Sequence, residues 1–502
     1  MRCWPKSIAF AAFLLLSHAT GLSQEVRVIQ FKAEDVSKLA TDPAGVVRLT
    51  GAVWMTHKNL LLTCDSAYYD QPNSHFIGYS HVHIIKADTL HMFSDQIDYN
   101  GKTELARLDG HVFMDNVKET VRAPRLDYDM KEEVAWYYGG GQIIDSANTV
   151  ESFWGYYYVN QNRFFFKEDV TLTNPDNTLI TDSLTYDSKA ETMWFEGRTN
   201  VYSDTNYIAC DRGFYDSKNK ISVFNKNVFM QAKEQLLRAD SLIYNQADSL
   251  TEAFGQVELR DTVENMIVTG EHLFYDESKN SFRITEDVLY IMVDQEDSLF
   301  LFSDTLISSR EEVKKSRRIR AFPHVQFYRT DIQGRCDSLD YMVVDSLIRL
   351  FKEPVIWQDK SQMTGDTVAV FLTEGGIEKM ELQNSGFLIT QEDTTNFNQI
   401  KGKAISGYFA NDQLHRVEVT GNGECLFYPK DGEQIIGHNK TLCSNIMIYF
   451  KEKKIDHISF IADPDNKLTP LKDLVPADLY LEGFKWLGEK RPVDREAIRV
   501  WK

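Results

Sequence analysis

The chain has 502 residues, of which 12% are aromatic and 26% charged, with a formal net charge of −19 at pH 7. It is too aromatic for a disordered protein and long enough either for about three ordinary domains or for one repeat array with a large buried core. Its mean hydropathy of −0.36 excludes a polytopic membrane protein, and its acidity opposes binding to a phosphate backbone, so no nucleic-acid partner is expected.

The chain opens with Arg2 and Lys6 ahead of an apolar run from Ile8 to Leu16, followed by small and polar residues. The run is too short to span a bilayer and has the layout of a cleaved secretory signal over residues 1–23. Cys3 precedes the apolar run, which argues against the lipid-anchored form of such a signal. The mature chain, from Gln24, should be soluble outside the cytoplasm. It keeps five cysteines, too few for a disulfide scaffold. Cys425 and Cys443 are near enough in sequence to pair, although buried thiols acting as small hydrophobes are the plainer reading.

From residue 64 onward one word recurs: CDSAYYD at 64–70, SDQIDYN at 94–100, PRLDYD at 124–129, TDSLTYD at 181–187, CDRGFYD at 210–216, ADSLIYN at 239–245, GEHLFYD at 270–276 and CDSLDYM at 336–342. A weaker copy surrounds Trp154–Tyr158, and the period is about 29–33 residues. A second word falls between copies of the first, with turn residues and then Val among alternating polar and apolar positions: TGAVWM at 50–55, YSHVHI at 79–84, DGHVFM at 109–114, KEDVTL at 167–172, NKNVFM at 225–230, FGQVEL at 254–259 and TEDVLY at 285–290. Two words of four to six residues per period, bounded by Gly, Asn and Asp, predict short strands separated by turns. In Asp182-Ser183-Leu184-Thr185-Tyr186 the alternation predicts a dry face of Asp, Leu and Tyr and a wet face of Ser and Thr. The fold class is therefore all-β, a repeat array of about 13 units. An apolar trough lies between its sheets.

Individual residues that invite a chemical reading have a structural one beside it. The recurring Asp, at 65, 95, 182, 211, 240, 304, 337 and 366, suggests a calcium ladder or catalytic carboxylates. A uniform row lacks the single unusual constellation that an active site needs, and Asp binding backbone amides at strand starts is the simpler account. His81 and His83 form an H-x-H pair on one strand face, as a metal site requires, but an inward Val82 turns both outward and the sequence places no third ligand. No cofactor, metal or nucleophilic triad is expected.

Repeated (A/C)D-x-(L/A)-x-Y-(D/N) followed by G-x-V-x-(L/M), on an exported chain, resembles the OstA/LptA family of lipopolysaccharide transport proteins. The resemblance runs from about Glu25 to about residue 460 and is strongest from Val47 to Asp276. It implies a twisted, V-shaped β-jellyroll in the periplasm, open along one seam, whose interior carries lipid A acyl chains. Such proteins bridge an inner-membrane exporter and an outer-membrane translocon through end-to-end strand pairing, and can self-associate. The chain departs from the family's short form in being more than twice as long.

On this reading it is not an enzyme, and the lipid path is lined by Val53, Val82, Ile97, Tyr99, Val112, Leu184, Tyr186, Val201, Val228, Leu242, Tyr244, Val257, Leu259, Leu273 and Tyr275. Residues 24–309 form the OstA/LptA-like repeats, 310–460 less regular repeats of the same array, and 461–502 a Pro-interrupted cap or docking segment. The one dense basic cluster, Lys314, Lys315, Arg317, Arg318 and Arg320, is either a contact to lipid phosphates or a solvated loop. Two alternatives remain: a structural β-array with a filled interior that transports nothing, and a β-helical polysaccharide-active enzyme.

Overall fold

The computed structural model describes residues 29–501 apart from 88, 295–296, 311–315, 374–375, 411–412, 433 and 453. The expected signal segment, Lys314 and Lys315 lie outside the described residues. Among those described, strands dominate and the only helical pieces are short 3₁₀ turns. The chain divides into two compact units, residues 1–146 and 147–502.

In the first unit the strands Val46–His57, Leu60–Asp70, His75–Lys86, Leu90–Asn100, Leu105–Asp115, Thr120–Asp129 and Val134–Ile144 follow one another, each antiparallel to its predecessor. The second unit repeats this meander from Thr149–Tyr158 to Leu299–Arg310. These strands have 10–12 residues, twice the predicted length, because the polar positions read as turns are corners inside continuous strands. In Val46–His57, pairing runs to Thr50 opposite Ser66 and resumes at Val53 opposite Cys64. The two residues between, Gly51 and Ala52, have φ of +78° and +40°. This is a β-bulge with two left-handed residues, which bends the strand without ending it. The same device recurs at Ser80-His81, Gly110-His111, Glu168-Asp169, Lys226-Asn227 and Glu286-Asp287.

Each corner divides a strand into two arms, and arms pair on both sides of it. One set of arms carries the Tyr of the first word and forms a tyrosine sheet; the other carries the Val of the second word and forms a valine sheet. The recurring Asp belongs to the corner and not to a strand start. His81 Nδ1 donates to Asp65 Oδ2 at 2.7 Å, His111 Nδ1 to Asp95 Oδ2 at 2.7 Å, Asn227 Nδ2 to Asp211 Oδ2 at 2.7 Å, and His324 Nδ1 to Asp304 Oδ2 at 2.8 Å. At Gly110, Gly197 and Gly255 the carboxylates of Asp95, Asp182 and Asp240 occupy the space a Cβ would need. The bulge also breaks the alternation, so Asp182 is exposed while Leu184 and Tyr186 are buried; the predicted common face of Asp, Leu and Tyr does not exist.

Between Arg310 and Thr373 the corners become breaks, as between Arg317–Phe322 and Val325–Tyr328, before a bulged corner returns within Gly376–Gln391, and beyond Arg310 the outer face of the valine sheet turns apolar. One cross-strand row there reads Gln333, Trp357, Gln362, Ile389, Gln399 and Leu426, alternating carboxamides with apolar groups. The C-terminal segment lies back across this row. Gln399 donates to the Leu479 carbonyl at 2.9 Å and accepts from the Leu481 amide at 2.8 Å; Gln362 does the same with Lys485 and Leu487, both at 2.7 Å. Gln326 donates to the Ile498 and Val500 carbonyls, and Arg491 donates to Gln333. Leu481, Phe484 and Trp486 pack on Phe387, Ile389, Phe397, Leu426 and Tyr428, and Trp501 stacks on Arg335. Of the segment expected to be a cap or docking segment, Asp465–Pro470 pairs with Gly437–Lys451, and the residues from Leu479 onward form a strap.

Two stability predictions follow from this geometry. Gly255→Val places a branched side chain at φ +73° and 2.4 Å from the Asp240 carboxylate; it should cost about 1–3 kcal/mol in urea unfolding, part of it recovered by adding Asp240→Ala. Leu481→Ala, at a residue 2% exposed, should cost about 2–4 kcal/mol and loosen the strap, read as a red shift of the buried Trp357 emission.

Candidate ligand cleft

The inner faces of the two sheets meet differently in the two units. In the first, the inward row of the tyrosine sheet is Tyr69, Phe76, Tyr99, Ala106 and Tyr128, and that of the valine sheet is Met55, Leu62, Ile84, Met92, Met114 and Val121. None of these is more than 3% exposed. Polar bridges between the arm tips close the mouth. His57 Nδ1 and the Tyr99 hydroxyl are 2.6 Å apart, Lys58 pairs with Glu104, and Lys86, 5% exposed, donates to the Tyr128 hydroxyl at 3.0 Å, the Met130 carbonyl at 3.0 Å and Glu133 at 2.8 Å.

In the second unit the corresponding tyrosine-sheet row reads Tyr215, Ser222, Tyr244, Thr251, Tyr275 and Phe282. Ser222 and Thr251 are the small members of this row, as Ala106 is of the first unit's, and Thr251 lies at the cleft. Opposite them, Val201, Ile208, Met230, Leu237, Leu259 and Val268 form the valine-sheet row. Most members of the two rows between 201 and 244 are only half-buried. A cleft of about 660 Å³ opens between the arms, with Met230, Leu237, Leu259, Leu273, Tyr275 and Phe282 on its walls. Apolar and aromatic side chains cover its walls, and polar and charged ones stand around them.

The charges sit at the rim: Lys233, Glu234, Asp261, Glu264, Glu277 and Arg317. Arg317, on the tyrosine sheet, reaches Glu264 at 2.5 Å and the Met266 sulfur at 3.4 Å. Burial raises the Glu264 and Glu277 carboxyls above their usual range. For Asp261 burial acts the same way but is outweighed by the amides of Glu264 and Val263, the Gln235 carboxamide and Arg317, so its carboxyl stands below that range.

All fifteen lipid-path residues named from the sequence occupy inward positions. Val53, Val82, Ile97, Tyr99 and Val112 lie in the shut interior of the first unit, at 2% exposure or less. Leu184, Leu242, Val228 and Val257 are buried on the corner side of the second. Leu259, Leu273 and Tyr275 line the cleft, and Val201, Tyr186 and Tyr244 belong to the same rows. Of the basic cluster's described members, strand alternation turns Arg317 into the cleft and Arg318 outward, where it forms a two-point ion pair with Asp340; Arg320 is exposed. Sequence reasoning missed Met230, Leu237, Phe282 and the rim acids. No local signal marked them, since a small residue between tyrosines also occurs at Ala106 in the shut unit.

The remaining motifs resolve without chemistry. His81 points outward to Asp65, which raises its pKa, while His83 stacks between His91 and Phe93 and burial lowers its own. Among the described residues no group of three metal-ligating side chains gathers. Cys425 and Cys443 are not bonded to one another: the five described cysteines are free thiols, and burial pushes Cys64 and Cys210 up to about 11 and Cys336 and Cys425 up to about 12.

Closure of the first unit can be tested at Lys86. Burial pulls its pKa down, but Glu133 and Tyr128 together hold it above the ordinary 10.5. The stabilisation is thus complete at neutral pH and fades as pH rises beyond 10.5 through the folded-state value. Lys86→Ala should cost about 2–4 kcal/mol at pH 7, Lys86→Met less because it keeps the apolar stem, and the gap between wild type and Lys86→Met should narrow at high pH.

Comparison with known proteins adds three findings. The family model described as "OstA-like protein" matches residues 25–181, 166–240 and 226–310, more than half of the chain, and its overlapping matches accord with internal repetition. No curated protein matches. Among solved structures, the chain is similar to LptH of Pseudomonas aeruginosa, described as the LptA homologous periplasmic component of the conserved lipopolysaccharide transport device; identity is 15%, coverage 28% of this chain and 95% of that one, and the TM-score 0.22, too loose a superposition to weigh on function.

Proposed function

Since the chain belongs to the OstA-like protein family, we propose that it is a non-enzymatic periplasmic lipopolysaccharide transport protein, exported by its N-terminal segment. The acyl chains of lipid A lie in the cleft between the arms of the second unit. The observation that carries this reading is the contrast of interiors: the same repeat packs shut before residue 146 and stands open between residues 205 and 282. A scaffold with a filled interior has no need of half-buried Tyr and Met facing an open mouth. Burying each methylene of an acyl chain there contributes about 0.8 kcal/mol. Arg317 meets an anionic headgroup group by exchanging its partner Glu264, a swap that the acidic rim limits to phosphates presented close to the mouth.

Partners at either end of a bridge join by strand addition. Support comes from the last strands, Lys454–Ile461 and Asp465–Pro470, which pair on one side with Gly437–Lys451 and present an exposed edge. The same edges serve self-association. The filled first unit favours a second, partial reading in which residues 29–146 are scaffold and only the second unit carries cargo.

A photo-crosslinking residue at Leu237 or Tyr275 in the full chain, expressed in cells, should yield lipopolysaccharide adducts, whereas one at Met92 should yield none. Absence of adducts at every cleft position in correctly folded protein would overturn the transport reading and leave the scaffold.

A further inference from the structure

On the face of the tyrosine sheet turned away from the cleft, a second concavity of about 420 Å³ is lined by Trp154, Tyr156, Tyr158, Phe165, Lys167 and Glu168. Its aromatic members are not core residues: between them lie Tyr157, Phe164 and Phe166, which fill the interior at 3% exposure or less, so alternation sends the groove's rings outward. The groove continues along one cross-strand row, Tyr156, Phe165, Thr185, Trp194 and Phe214. Trp194 is 41% exposed and its ring centroid is 5.3 Å from that of Phe214. Across the strands of the first unit the same outward row is Arg48, Tyr68, Ile77, Asp98, Arg107, Asp127 and Trp136, with charges at four of seven positions and four strands between its two aromatics, so the repeat itself does not demand neighbouring aromatic rings on this face.

We propose that this row binds a carbohydrate chain, with sugar rings stacked on the aromatic faces. The ring faces carry negative electrostatic potential and attract the polarised C–H groups of a pyranose, and exposed aromatic patches of this kind mark binding surfaces. The charges at the groove cancel. Lys167 and Glu168 leave it with no net pull on a cation or an anion, and together they offer a donor and an acceptor to hydroxyl groups. A folded protein partner is a poor fit, because a specific interface needs about 800 Å² per side and beyond Phe165 the row narrows to one residue, flanked by Asp187 and Asp216 on one side and by Glu196 and Arg212 on the other. From Tyr156 to Phe214 it crosses four strand spacings, about 19 Å, the reach of a short oligosaccharide and not of a single sugar. The site faces away from the cleft and stands whether or not the cleft holds lipid.

The test uses the full mature chain and two soluble probes free of lipid, chitohexaose and the polysaccharide released from lipopolysaccharide by mild acid, read by calorimetry and tryptophan fluorescence. At least one should bind. The double variant Trp154→Ala/Tyr156→Ala should lower its affinity about tenfold or more, Tyr156→Phe should leave it nearly unchanged, and Glu168→Gln, on an exposed corner where folding is not at stake, should lower it about two- to fivefold with an unaltered urea midpoint. The proposal fails if neither glycan binds at millimolar concentration, if tetramethylammonium binds the groove in their place, or if Glu168→Gln and a folded aromatic variant bind as wild type does. Lipid crosslinking in the cleft is unaffected by any of these outcomes, which keeps the two readings separable.

Discussion

The structure depends on one local event, a pair of left-handed residues inside a strand that keeps its hydrogen-bonded neighbours on both sides. A strand of this length that did not bend would give one flat sheet with a wet and a dry face and no interior. The bulge folds the dry face onto itself, so that one meander makes both walls of a core. The cost of positive φ at non-glycine residues recurs at every other strand and is offset at several corners by a carboxylate from the preceding strand that binds the corner side chain, or by glycine where that carboxylate leaves no room. His81 with Asp65 and Gly255 with Asp240 are two solutions to the same constraint.

Once the corner fixes which residues face inward, the interior is decided by the side chains along two rows and at the arm tips. Both units set small residues between tyrosines, Ala106 in the first and Ser222 and Thr251 in the second, but the first is shut by His57 with Tyr99, Lys58 with Glu104 and buried Lys86 with Tyr128 and Glu133. The change from filled to open needs no change of fold, only different residues along these rows and at the tips. Packing and function are thus set by the same positions, and a repeat that serves as support in one unit can hold a ligand in another.

The sequence disclosed the period, the all-β class and the inward identity of every Val, Leu and Tyr named for the lipid path, because strict alternation and a repeated word are local signals. It misassigned Asp182 to the dry face and halved the strand length, because a polar residue before Val looks the same whether it turns the chain or bends it. The cleft was not legible as a cleft: its existence depends on which tips lie opposite one another across the gap, a relation between residues such as Leu237 and Thr251 that no single strand records. Arg317 and Arg318 were indistinguishable as members of a basic run until their strand assigned them to opposite faces. The strap was hidden for the same reason, since Gln362 and Gln399 pair with residues 80 or more positions away.

That strap is held mainly through its main chain. Gln362 and Gln399 each grasp a carbonyl and an amide, groups that every residue other than proline supplies, while side-chain selection is concentrated at Leu481, Phe484 and Trp486. Its exposed positions are therefore free to drift in evolution. Its spacing is not: a single inserted or deleted residue between 481 and 487 would put one of the two glutamines out of step with its pair of backbone groups. Length polymorphism should accordingly be absent from this stretch even where its composition varies widely.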